Sequence, residues 1–336
     1  MTIRTVLAAA ALALALPARA DTTLLFNSFL APQHPINTRV LKPWADDIEK
    51  ATAGRVKIQI APASLAAPPQ QMDGVVKGVM DGAYIFNGFL QGKVALPQVA
   101  HLPFVNSTSK ASSVALWRTY ERHFAKAAEY KDVEVLSLFV FPGGPFYGMK
   151  GPIKSMADLK GVKFYALPGA AAQMLEAAGA GVVAVPAARS YEVISGGTVD
   201  AFAGYPVQDA GAFHTLQYVK WITDVPGDLT APSFTLFVNK KKWQSIPEAD
   251  RAVIKRLSGE AFAARSAVYD EIEVKARKDA AAQGVQFIKA DAAFVDGLRP
   301  LAARQVDDWL AAAAKLGVDG KAALEMYKSE AASGAK

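Results

Sequence analysis

The 336-residue sequence has no cysteine and only four histidines, His34, His101, His123 and His214. Without cysteine there is no disulfide scaffold, thiol nucleophile, iron–sulfur cluster or thiolate zinc site. No two histidines lie closer than 22 positions, so the short His-x-x-x-His spacing of a metal-binding helix is absent. Also missing are the G-x-S-x-G elbow, H-E-x-x-H, the phosphate-binding Walker loop and the EF-hand loop. Beyond the N-terminus no segment reaches 18 apolar residues without a charge, which is too short for a membrane helix. Charge of one sign is never concentrated. The net charge is +6, yet the only basic run is Lys240-Lys241-Lys242, and no nucleic-acid footprint emerges.

What remains is a chain that is 51% apolar and 20% charged, ample for a buried core and long enough for about two domains. Residues 1–20 read as a secretory signal: a basic start at Arg4, an apolar run from Val6 to Leu16, the breaker Pro17, then Ala18-Arg19-Ala20. Cleavage after Ala20 would leave a periplasmic chain of 316 residues that begins at Asp21 and carries a net charge of +4.

The mature part alternates strand and helix patterns. Thr22 to Phe29, Arg55 to Ile60, Asp81 to Phe86, Val133 to Phe141, Val162 to Ala166, Val182 to Val185 and Ala201 to Tyr205 read as strands. Pro35 to Thr52, Pro69 to Met80 and Ser107 to Lys126 read as helices. Such alternation implies parallel sheets with helices on both faces, an α/β fold. After Pro247, apolar positions step by three or four for about 35 residues, broken only by Gly259, up to Gly284. The spacing predicts one long helix lying across two lobes. Gly179-Ala180-Gly181-Val182-Val183-Ala184 matches the dinucleotide fingerprint only on paper, because it leaves a helix and opens a strand. Polar and aromatic residues gather at the carboxyl ends of the expected strands, where open α/β sheets bind ligands: Asn27, Ser28, Phe86, Asn87, Phe146, Tyr165 and Tyr205.

Several short motifs, in order, resemble the solute-binding proteins of TRAP (tripartite ATP-independent periplasmic) transporters. They are Ala31-Pro32-Gln33-His34-Pro35, Thr52-Ala53-Gly54-Arg55-Val56-Lys57-Ile58, Gly78-Val79-Met80-Asp81, Leu102-Pro103-Phe104, Gly151-Pro152-Ile153-Lys154, Asp158-Leu159-Lys160-Gly161-Val162-Lys163, Gly197-Thr198-Val199-Asp200 and Val238-Asn239-Lys240. The resemblance implies a two-lobed periplasmic binding protein fold of type II-like architecture. Residues 21–145 plus about 231–270 would form one lobe, and 146–230 plus about 271–336 the other. It also implies a monomeric receptor, not an enzyme, with no cofactor and no metal. Such a receptor closes over a small-molecule solute and passes it to membrane permease subunits, without being embedded in the membrane itself.

The family's carboxylate-clamping arginine falls at Tyr165, a second arginine of some members falls at Gly144, and a family glutamate falls at Arg189. A solute with at most one carboxylate is therefore expected rather than a dicarboxylate, within Phe86, Asn87, Phe146, Tyr165, Tyr205 and Phe234. Arg189 would supply the missing charge, facing a solute carboxylate or Asp209. An amine or polyol solute is the rival. Alternative functions are the receptor of an ATP-driven importer and a secreted enzyme with an unrecognised site.

Overall fold

The computed structural model describes residues 22–334; the expected signal segment lies outside the described residues. Two sheets organise the chain. The first contains β1 (Thr22–Asn27), β2 (Val56–Ile60), β3 (Gly82–Phe86), β4 (Val133–Val140) and, from much later in the sequence, β10 (Ser233–Asn239), in the order β2-β1-β3-β10-β4. The second contains β5 (Phe146–Gly148), β6 (Lys163–Ala166), β7 (Gly181–Ala184), β8 (Ala201–Ala203), β9 (Trp221–Asp224) and β11 (Gln286–Lys289), in the order β11-β9-β5-β8-β6-β7.

The sheets are mixed rather than wholly parallel as the alternation implied. In each sheet the antiparallel strand is the one reached by a direct crossing segment from the other sheet, whereas β11, reached through helices, is parallel to β9. β5 runs against β8 and β9, and β10 runs against β3 and β4. β5 and β10 each follow a strand of the other sheet with no helix between, so they enter from the end opposite to the strands fed by βα units. The two crossing segments lie side by side, with the amide of Phe141 donating to the Pro232 carbonyl at 2.8 Å and that of Gly144 to Thr230 at 3.0 Å.

The expected long helix is three segments: α4 (Glu248–Leu257), α5 (Gly259–Ala263) and α6 (Ala267–Ala282), after α1 (Lys42–Ala51), α2 (Ser109–Thr119) and α3 (Val207–Ala212). Gly259 is the cause of the first break. Its φ is +55°, and a Cβ there would meet the Trp117 indole at 2.9 Å, so neither the helical conformation nor a side chain fits. The run nevertheless ties the two sheets together. At its start Asp250 takes a bidentate pair from Arg55, next to β2 (2.9 and 2.7 Å). At its end Arg277 reaches Asp224 of β9 (2.8 Å) and Glu273 on its own helix (2.8 Å).

A second bridge was not legible in the sequence. Helix α7 (Ala292–Lys315) buries Phe294 and Leu298 in the core of the second sheet, while Trp309 donates to the carbonyls of Ala95 and Leu96 at 3.2 Å beside the first. The chain then ends in α8 (Gly320–Ser333), which packs along α2, with the Tyr327 hydroxyl donating to Asn106 at 2.5 Å. The sequence-based division gave everything after about residue 271 to the second lobe. Instead α7 carries the chain back, and α8 joins the first sheet's side because its apolar face (Ala323, Tyr327, Ala331) matches the Leu116 and Phe124 surface.

Candidate functional site

Strand polarity creates the site. The carboxyl ends of β1, β3 and β4 and the amino end of antiparallel β10 all meet at one edge of the first sheet. The residues there are Phe29, Leu30, Phe86, Phe141, Pro232 and Phe234. The segments following β6, β7 and β8 present Leu167, Ala187 and Tyr205 from the facing lobe, and α3 with the residue after it adds Asp209 and Phe213. With Phe89 these twelve residues wall one interlobe cleft. Seven of them are aromatic and none is a lysine or arginine, so the cleft is an apolar slot with one acidic group.

The rings are in contact. Phe234 lies beside Phe86 in register (5.7 Å between centroids) and against Phe141 (4.4 Å). Phe86 meets Phe89 edge-on at 5.1 Å, and Tyr205 meets Phe213 edge-on at 5.7 Å. The cavity that remains is only about 30 Å³, room for roughly one water. The lobes are therefore closed, and one hydrophobic cluster runs from Leu24 and Trp44 through Phe141 and Phe234 to Tyr165, Phe202 and Ile222. A solute enters only when the lobes or these rings part. A larger, solvent-open cavity of about 550 Å³ lies among Trp117, Tyr120, Glu121, Lys240 and Lys255, away from the strand carboxyl ends.

The polar feature of the cleft spans it. His34, in the loop after β1, is buried and sits between Phe141 (6.3 Å) and Phe213 (6.1 Å). Its Nδ1 accepts the Ile36 amide at 3.2 Å, which leaves the ring proton on Nε2. Nε2 then donates to Asp209 Oδ1 of the facing lobe at 3.3 Å. Asp209 is 5% exposed, and among the described residues no hydrogen bond reaches its Oδ2. Helix α3, which carries Asp209, is held by α6: the Glu273 carboxylate accepts from the amides of Val207 (3.2 Å) and Gln208 (2.9 Å). Burial raises the pKa of Glu273, and those amides together with Arg277 oppose the rise.

Of the residues read from the sequence, Phe86, Tyr205 and Phe234 line the cleft. Asn87 does not. It donates to Ser233 Oγ (2.9 Å) and accepts from Thr235 (2.6 Å), fixing the strands that hold Phe86 and Phe234. Ser28 bonds the Tyr84 hydroxyl at 3.0 Å behind the wall, and Asn27 ties down the loop after β2 through Gln71 (2.6 Å) and the Leu65 amide (2.9 Å). Phe146 is buried in the second lobe's core against Phe294 (5.6 Å), because its side of β5 faces α7.

Tyr165 packs behind Tyr205 (5.9 Å) with its hydroxyl donating to the Val185 carbonyl at 3.2 Å, so it is already engaged rather than free for a solute. Arg189 corrects the expectation most clearly. Its side chain is 62% exposed and bonds Glu192, three residues on, at 3.2 Å; it faces solvent, while Asp209 turns to His34. Gly144 is pressed against the backbone of Gly204 and Tyr205, and a Cβ would lie 2.5 Å from the Tyr205 amide nitrogen. No arginine fits there.

Sequence reasoning missed Phe29, Phe89, Phe141, Phe213 and Asp209 as cleft residues. Phe29 and Phe141 had a signal, since each closes an expected strand. Asp209 and Phe213 had none. His34 was legible only as part of a short motif.

His101, stacked on Phe86 at 5.2 Å, accepts the Ser233 amide at 3.1 Å and is 3% exposed. Burial pushes its imidazole down to about 4, against an ordinary value near 6.5. Between those values the unfolded chain binds more protons, so stability falls as pH falls from 6.5 toward 4, by up to about 3 kcal/mol. Denaturant midpoints at pH 7 and 4.5 should show that loss in the wild type and a smaller one in His101→Gln. Equal losses would remove His101 as its source.

With this geometry in view, comparison with known proteins decides the family. The family model for bacterial extracellular solute-binding protein family 7 matches residues 26–308. The chain belongs to that family. This family 7 protein is a TRAP solute-binding protein, and such proteins bind small molecules and work with a membrane permease. It is 53% identical, over 99% of both chains, to a Comamonas testosteroni protein described as outer membrane transporter protein TsaT. Among solved structures it is similar to a TRAP periplasmic solute-binding protein from Bordetella bronchiseptica with bound (R)- and (S)-mandelate. That match has 30% identity and a TM-score of 0.89 and covers 93% of this chain and 99% of that one. It is also similar to a marine metagenome TRAP solute-binding protein specific for aromatic acid ligands, in complex with 3-hydroxybenzoate, at 27% identity and a TM-score of 0.85, covering 93% and 98%. Among the described residues no helix is long and apolar enough to cross a membrane.

Proposed function

We propose that this family 7 receptor is exported after cleavage at Ala20, captures a small aromatic monoacid and presents it to the permease subunits of a TRAP transporter. The observation that carries the solute class is the cleft wall of seven aromatic rings. Aromatic faces stack on an aromatic solute at ring separations of about 4.5–7 Å, and Phe86 with Phe89, Phe86 with Phe234 and Tyr205 with Phe213 already keep such distances. The relatives that hold mandelate and 3-hydroxybenzoate support the same class. With no guanidinium in the lining and Asp209 already present, a dianion would bring two uncompensated charges into the apolar slot, a larger cost than the single charge of a monoacid.

The test is a calorimetric and thermal-shift panel of mandelate, benzoate, 3-hydroxybenzoate, succinate and a neutral sugar on the mature chain. At least one aromatic monoacid is expected to bind at micromolar or tighter affinity and to raise the melting temperature, succinate to do neither, and Arg189→Ala to behave as wild type. Tightest binding by succinate would refute the reading. So would loss of monoacid binding in Arg189→Ala.

A further inference from the structure

Among the described residues Asp209 is the one carboxylic acid lining the cleft, and its surroundings determine which way it points chemically. His34 arrives with a proton on Nε2, because its Nδ1 is occupied by the Ile36 amide. That proton goes to Asp209 Oδ1. The other oxygen has no partner among the described residues and is not one of the fully buried unpaired atoms, so it is the end of Asp209 left open to the aromatic slot. A solute that fills the cleft strips this oxygen of water, and a donor on the solute offsets that cost. No cationic side chain lines the cleft to neutralise Asp209 in any other way.

We propose that Asp209 is the specificity-determining residue of this cleft, and that the preferred solute presents a hydrogen-bond donor, a hydroxyl or an ammonium on its aromatic framework, to Asp209 Oδ2. The proposal rests on the cleft being the solute site and refines the aromatic-acid reading. Among aromatic acids, one that carries a donor at a distance from its own carboxylate fits best, since the donor meets Asp209 while the two negative charges stay a ring's width apart. His34 is the positioning residue: it takes up one oxygen and aims the other inward. Because His34 and Asp209 come from opposite lobes, the acceptor is assembled only when the lobes are closed, so a solute with a donor is read at closure.

The substitution Asp209→Asn makes a sharp test. The His34 proton demands an acceptor, so the amide oxygen takes the Oδ1 place and the amide NH2 turns toward the cleft. The site changes from acceptor to donor with no change of shape. Affinities would be measured calorimetrically for benzoate, 3-hydroxybenzoate and 3-methoxybenzoate, together with benzyl alcohol and benzylamine, which carry a donor and no carboxylate. Wild type is expected to favour 3-hydroxybenzoate over benzoate and 3-methoxybenzoate by about tenfold or more, as a hydrogen bond to a charged group provides. Asp209→Asn is expected to lose that preference and to gain for the methoxy compound, an inversion that a merely loosened fold would not produce.

Equal wild-type affinity for benzoate and 3-hydroxybenzoate overturns the proposal, as does an unchanged preference in Asp209→Asn. If the acids fail to bind but benzyl alcohol or benzylamine binds in an Asp209-dependent way, the aromatic-acid reading falls and the proposal stands. Binding by none of the rings to a protein with a normal melting transition overturns both.

Discussion

Phe141→Ala is expected to lower the unfolding free energy by about 3–5 kcal/mol and to abolish solute binding. Phe141 is 1% exposed and directly follows β4, where the chain leaves the first sheet. Its ring touches Phe234 (4.4 Å) and Tyr269 of α6 (4.3 Å) and lies near His34 (6.3 Å). Removing it deletes the ring that joins the first sheet, the bridging helix and the cleft wall. Loss of a fully buried phenylalanine carries the cost given above because the transfer and cavity terms add. Binding suffers separately, because the Phe234 and His34 faces lose the surface that orients them. Chemical denaturation measures the first effect and calorimetry the second. Phe213→Ala, at a half-buried position on the opposite wall, should weaken binding with a much smaller stability loss. A Phe141→Ala protein that binds an aromatic solute as wild type does would show that the cleft is not the solute site.

Gly144→Arg is the second large effect. That position is where the family resemblance places a carboxylate-binding arginine, so the motif alone predicts that the residue is tolerated. The structure predicts the opposite. A Cβ on Gly144 would approach the Tyr205 nitrogen to 2.5 Å and the Gly204 carbonyl carbon to 2.8 Å, both backbone atoms that cannot turn away. Gly144 also donates to Thr230 on the neighbouring crossing segment, so displacing it displaces both crossings. Ordinary overpacking costs about 1–3 kcal/mol; a clash against backbone where the two segments cross should exceed that. It should also hold the lobes apart. The checks are the denaturant midpoint and the scattering radius, which should rise relative to wild type. An unchanged radius, with binding of a dicarboxylate gained, would mean that the segment has room for the side chain.

The sequence by itself determined the class of this protein. Periodicity fixes where most elements form, because alternation at β2 and three-to-four spacing after Pro247 are local properties that the chain obeys wherever it folds. The ordered motifs identified the family, and strand ends pointed to Phe86 and Tyr205, since in an α/β sheet the carboxyl edge is where ligands meet the chain. Other matters depended on partners distant in sequence, and only the tertiary structure decided them. Gly259 breaks the bridging helix because Trp117 occupies its side-chain space. Arg189 faces solvent because Glu192 satisfies it locally, and Tyr165 is buried and bonded to Val185. The deciding pair, His34 and Asp209, stands 175 residues apart on opposite lobes. No spacing in the chain announces such a contact, because it exists only when two crossing segments and a broken helix bring the lobes face to face. The residue types set what each wall offers, an aromatic surface; the closure of the lobes set the one polar group that the surface surrounds.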